Sequence, residues 1–269
     1  MENKKPQENT QPKKKRFFTI NVILLLLLIF SISLFGLSVY AFMHQDDIKK
    51  AIVESNTPKT PTSTTTVTMP LPEELLTPSS KQVLVDRNHS LPTDYVPETL
   101  SSPYINSTTD VIQIDQETGD MAKQMISAAN EQGISLTVTN GYRSYADQQK
   151  YYESRSALLG DTVADKQIEK AGFSEHQTGL AIDFTDDPAN STPTQAFGDT
   201  PAGQWLHDHA HEYGFIQRYP KGKEKITGYD YMPWHYRYVG VDIATAIYET
   251  NPDCTFEEFY NVQNEHTTH

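Results

Sequence analysis

His176, Asp183 and His235 are the residues in this chain best suited to hold a metal ion. Two imidazoles and one carboxylate are borderline-soft and hard donors of the kind that zinc accepts in tetrahedral geometry. Three protein ligands leave a fourth position open for water, which separates a catalytic zinc from a structural one. His176 and Asp183 lie in the run S-E-H-Q-T-G-L-A-I-D from Ser174 to Asp183, where Gly179 allows a backbone turn between the ligands. His235 follows some fifty residues later in Pro233-Trp234-His235. Spacing alone leaves a structural role open, because a histidine and an aspartate seven residues apart also occur by chance.

These residues need elements to hold them. Gln116 to Gln132 carries apolar residues at helical spacing and stops at Gly133. Ile134 to Thr139 alternates like a half-buried strand, and Asn140-Gly141 is a turn signal. Tyr145 to Leu159 and Asp161 to Lys170 read as helices on either side of Gly160. Leu180 to Phe184 reads as a short buried strand bearing Asp183. A helix from Trp205 to Tyr213, a Phe215-Ile216 strand, a strand from Trp234 to Val239 and a helix from Val241 to Tyr248 complete the pattern. The expected fold class is α+β, a small antiparallel sheet with packed helices.

The N-terminal third reads differently. Residues 1–16 form a basic head with Lys4, Lys5, Lys13, Lys14, Lys15 and Arg16. Val22 to Met43 carries no charge and includes five consecutive leucines, enough for a single membrane-spanning helix within 17–43. The basic head places the N-terminus in the cytoplasm, with the rest of the chain outside the cell membrane. A signal peptide cleaved after Val39-Tyr40-Ala41 is the competing reading, although its apolar region is shorter as a rule. Residues 44–80, rich in threonine and proline, read as an extended stalk, and 81–269 as the globular domain.

The net charge is −13, and the excess of acid lies in the body of the chain. That argues against nucleic-acid binding, which needs basic patches to neutralise phosphates. The single cysteine, Cys254, forms no internal disulfide and lies outside any metal-ligand spacing. The absence of S-x-x-K and K-T-G removes the serine-peptidase route. His207 and His211 stand at i, i+4 like a helical zinc motif, but Leu206, Ala210 and Tyr213 define the buried side, so the histidines are expected to flank it in solvent.

The text S-E-H-Q-T-G-L-A-I-D-F with P-W-H-Y-R-Y-V-G, preceded by G-Y-R-S-Y-A-D-Q-Q, resembles the zinc D-alanyl-D-alanine carboxypeptidases of the VanY kind. The opening L-V-D-R-N-H-S-L-P-T-D-Y-V-P is similar to the start of that family's domain. The resemblance implies a Zn2+ site of His176, Asp183 and His235, and a peptidoglycan stem peptide as substrate. It also implies that Arg143 holds the substrate's terminal carboxylate and that Gln148 and Ser174 line the cleft. A guanidinium suits the first role, since its planar fork matches a carboxylate. Arg237, two residues after a ligand, reads equally as support for the metal site or as an ion-pair partner.

Met232 departs from the pattern. The family carries a glutamate three residues before the last histidine, as E-P-W-H, and this glutamate moves the proton between the attacking water and the leaving amine. A thioether holds no proton at any working pH. Loss of such a group costs about 10²–10⁴ in rate. Asp230, two residues upstream, is a weak substitute: in an extended strand it would point the same way but lie about 6–7 Å along. The sequence therefore leaves two readings, a zinc carboxypeptidase with impaired catalysis and a zinc- and peptide-binding relative that does not turn over.

Overall fold

The computed structural model describes residues 71–262, apart from 110, 190, 191 and 193. The basic head, the apolar segment at 17–43 and residues 44–70 of the stalk lie outside the described residues. Among those described, no helix is long and apolar enough to cross a membrane.

Four strands form the central sheet: β3 (Thr137–Asn140), β4 (Ala181–Thr185), β6 (His235–Tyr238) and β5 (Phe215–Gln217), in that spatial order and antiparallel throughout. A two-residue pair, β1 (Leu100–Ser101) with β2 (Ile114–Asp115), leads into α2 (Gln116–Glu131). The side-chain period of two gives the sheet two different faces. Val138, Ile182, Phe184, Tyr236 and Tyr238 point to the core, where they meet Ala122, Met125 and Ala129 of α2 and Trp205 and Leu206 of α5 (Pro201–His209). The opposite face carries Asp183, His235 and Arg237.

One irregularity on β3 matters for the site. Val138 pairs with Phe184, yet Asn140 pairs with Asp183, so the register shifts between them. Without that shift Asn140 would share the core face of Val138. A bulge re-aims the following side chain in this way, and here it brings Asn140 onto the face of Asp183.

Several boundaries differ from those read in the sequence. Ordered packing begins before residue 81: α1 (Glu73–Leu76) buries Leu75 beside Leu84, Val239 and Phe256. Proline-rich composition concealed this short apolar turn. The helix expected over Asp161–Lys170 ends at Gln167 as α4 (Asp161–Gln167), and Ile168 takes extended geometry so that it and Glu169 become buried. The segment before His235 is not a strand. Met232 donates its N–H to Tyr219 O and accepts from His235 N, closing a turn.

Candidate metal and peptide site

Asp183 and His235 sit directly opposite each other on neighbouring central strands. Cross-strand partners have their side chains close by construction, so this pairing alone brings two of the predicted ligands together. His176 comes from a 3-10 turn, Glu175–Thr178, which ends at Gly179 with φ +70°. That left-handed value suits glycine and lets the chain double back into β4.

The three donor groups lie within 4.8 Å of one another, and all three residues are buried. His176 Nε2 is 3.3 Å from Asp183 Oδ2, and His235 Nδ1 is 2.9 Å from Asp183 Oδ1. The far nitrogen of each imidazole is also held. His176 Nδ1 donates to Gly141 O at 2.7 Å, which leaves Nε2 free as a metal donor. His235 Nε2 meets Glu175 Oε2 at 3.3 Å. Asn140 Nδ2 donates to Asp183 Oδ2 at 2.9 Å. Metal-bound histidines characteristically hand their second nitrogen to a carbonyl or carboxylate, which fixes the ring. The donor set and its supports thus fit a zinc ion.

Electrostatics agree with a site built for a cation. Burial pushes the Asp183 carboxyl up, but the two histidines overcome it and hold the group well below the usual carboxylate range. Burial lowers the His235 imidazole, yet hydrogen bonds to Asp183 and Glu175 prevail and raise it to about 10. Glu175 is itself fully buried. Burial raises its carboxyl, and Arg218, Arg237 and His235 together bring it far below its ordinary value. Arg218 Nε and Arg237 Nη1 each donate to Glu175 Oε1 at 2.8 Å. Arg237 is therefore both things the sequence allowed, an ion-pair partner and a support for His235 through Glu175.

The ligands open onto a cavity of about 680 Å³, well within the range of ligand sites. Arg143 lines it, with its guanidinium carbon 4.6 Å from the centroid of the Tyr151 ring. Arg143 Nη1 donates to Gln148 Oε1 at 2.7 Å and Nη2 to Asn140 Oδ1 at 3.2 Å. Gln148 and Ser174 do not line the cavity. Gln148 is buried behind it, and its amide also donates to Glu169 O, so it positions Arg143 rather than meeting a ligand. Ser174 is buried too, and its hydroxyl has no hydrogen-bond partner among the described residues.

Met232 and Asp230 both line the cavity. Met232 is buried against Tyr219 and Tyr229. Asp230 is half-buried, and its N–H donates to Lys166 O at 2.9 Å, which ties this turn to the end of α4 and replaces the extended geometry expected of it. His207 and His211 form no joint site: His207 contacts Asp208 and Asp253, and His211 stacks on Tyr248 with centroids 3.8 Å apart.

Two residues escaped the sequence reading. Glu175 stands beside a ligand in the motif, but only its burial under two arginines assigns it to His235. Glu169 lines the cavity as a buried carboxylate whose Oε1 has no hydrogen-bond partner among the described residues. It was hidden in a stretch that reads as continuous helix.

Comparison with known proteins decides the family. YodJ of Bacillus subtilis (strain 168), a protein named for carboxypeptidase activity, is 40% identical over 192 residues, covering 70% of each chain. The family model VanY, described as D-alanyl-D-alanine carboxypeptidase, matches residues 111–241. The chain belongs to the VanY family. The matched span holds Arg143 and every predicted ligand of this VanY-type domain. The bifunctional D-Ala-D-Ala dipeptidase and carboxypeptidase VanXYC of Enterococcus gallinarum is 32% identical, covering 66% of this chain and 92% of its own. Among solved structures, the LD-carboxypeptidase LdcB matches with a TM-score of 0.63 at 38% identity, over 68% of this chain and 87% of its own. A variant of the VanB-type D,D-pentapeptidase VanY, in complex with Zn(II), matches with a TM-score of 0.56 at 31% identity, over 66% and 97%.

Proposed function

We propose that this VanY-family domain is a zinc carboxypeptidase that removes the terminal D-alanine from peptidoglycan stem peptides. The observation that carries this reading is the convergence of His176, Asp183 and His235 on a cavity whose wall presents Arg143. Zinc, when bound, polarises a carbonyl and lowers the pKa of its water to about 7. Arg143 binds the free carboxylate of the peptide, steadied by Gln148 and Asn140 and resting on Tyr151. Asn140 and Glu175 orient the ligand side chains. Met232 holds no proton.

Met232 favours a second reading, a domain that binds cell-wall peptides without cleaving them. The apolar segment at 17–43 supports an N-terminal membrane anchor, with the catalytic domain outside the cell membrane. The deciding experiment incubates the zinc-loaded full chain with tetrapeptide and pentapeptide stems. D-alanine release that a chelator abolishes is expected. Peptide binding without release, at full zinc occupancy, would establish the second reading instead.

A further inference from the structure

Glu169 is the unexplained group in this cavity. It is 6% exposed, and its Oε1 is buried with no hydrogen-bond partner among the described residues. A buried carboxylate oxygen without a partner is costly, and each such atom in a native fold calls for an explanation. Its backbone is fixed from two sides. Gln148, which also holds Arg143, donates to Glu169 O. Three residues earlier, Lys166 O accepts from Asp230 N in the turn that carries Met232. The segments bearing residues 169 and 232 are thus laced together along one wall.

Glu169 lines the same cavity as His176, Asp183, His235 and Met232. Tyr219 and Tyr229 are the two rings that pack against Met232. Tyr219 in turn lies 5.2 Å from His235, ring to ring. The cavity therefore receives a buried carboxylate from the segment that follows α4.

We propose that Glu169 is the catalytic proton carrier of this domain, in place of a carboxylate at position 232. The proposal rests on the carboxypeptidase reading. Glu169 takes one proton from the attacking water as its oxygen bonds to the scissile carbonyl carbon. When the C–N bond breaks, that proton passes to the departing amine. The second water proton passes from the new carboxyl group to the released amine, so D-alanine leaves with its ammonium, the shortened peptide keeps the new carboxylate, and Glu169 returns to its ionised form with one water consumed.

The test uses the full chain, with zinc content measured for each variant. Glu169→Gln is expected to lower kcat about 10²–10⁴-fold with KM and zinc content unchanged. In the cobalt-loaded protein it should also shift the pH midpoint of the visible absorption bands, which a purely structural glutamate would not do. Glu169→Ala combined with Met232→Glu should recover at least tenfold over Glu169→Ala alone, and this transplant reports even if the glutamine variant folds poorly. Glu169→Gln with kcat within threefold of wild type overturns the proposal, as does an unmoved cobalt midpoint. So does a rise in KM confined to peptides with a free side-chain amine, which would make the carboxylate a recognition group. If the wild type with full zinc releases nothing, the carboxypeptidase reading fails too. An active wild type indifferent to Glu169→Gln sinks only the proposal.

Discussion

Glu175 Oε2 lies 3.3 Å from His235 Nε2, on the side of the ring opposite Asp183. The residue next to one metal ligand in sequence thus orients another ligand sixty residues away. Glu175→Gln keeps the shape and removes the charge. Because outer partners of metal histidines tune the ligand, zinc affinity should fall about 10–100-fold, read by competition with a chelating dye. The same change leaves Arg218 and Arg237 short of a carboxylate. Thermal stability should drop as well, since breaking a buried ion pair is strongly destabilising.

The Arg143 guanidinium bonds Gln148 and Asn140, and it is the backbone N–H of Arg143 that meets a ligand residue, donating to His176 O at 3.1 Å. Arg143→Ala should reduce kcat/KM about 10–100-fold, the worth of a hydrogen bond to a charged group, without altering zinc stoichiometry. Arg143→Lys should rescue little, because an ammonium lacks the planar fork. Steady-state kinetics alongside metal analysis checks both statements.

Gly141 is pressed against the chain. A Cβ there would lie 2.4 Å from Gln113 O and 2.7 Å from Ile112 Cγ2, and Gly141 O is the acceptor for His176 Nδ1. Gly141→Ala should therefore cost about 1–3 kcal/mol by overpacking and weaken zinc binding together. A calorimetric scan with and without zinc separates the two effects.

Zinc should stabilise the fold in proportion to the logarithm of its free concentration above Kd, by about 2.7 kcal/mol at a hundredfold excess over Kd. Asp183→Asn should abolish that increment and also lower the metal-free Tm, because it leaves two buried histidines without their carboxylate. Thermal melts across a zinc titration provide the check.

His207 predicts a small pH effect. Burial lowers its imidazole, but Asp208 and Asp253 more than compensate and raise it above its ordinary value. A raised folded pKa stabilises fully below the unfolded value of about 6.5 and fades as pH rises through the folded one. Both partners are partly exposed, so the gain is about 1 kcal/mol at most. Asp253→Asn should thus flatten the Tm difference between acidic and alkaline buffer.

The metal triad was legible because its types and motif spacing are local properties of the chain. The strand bearing Asp183 was legible too, as a short apolar run between turn residues. What escaped depends on distant geometry. Asn140 reaches Asp183 only through a register shift on β3, and no alternation pattern announces a bulge. Glu169 reads as the charged end of a helix until Ile168 breaks from it. Gln148 seemed a cleft residue, yet it stands one layer behind Arg143. The ten residues before 81 look like linker by composition, but Leu75 buries itself in the cluster of Leu84, Val239 and Phe256, and Leu71 packs against it.

One further ion pair sets an order of events. Arg218, which holds Glu175, also makes a two-pronged contact with Glu257 at 2.7 and 2.9 Å, and Glu257 belongs to α8 (Phe256–Phe259), near the end of the chain. During synthesis the ribosome delivers both ligand-bearing strands and both arginines before Glu257 exists. Until α8 emerges, Arg218 lacks one of its two carboxylates and the support behind His235 is incomplete. Maturation of the metal site therefore waits on a helix that follows every ligand in sequence, and loss of Glu257 would be felt at the metal.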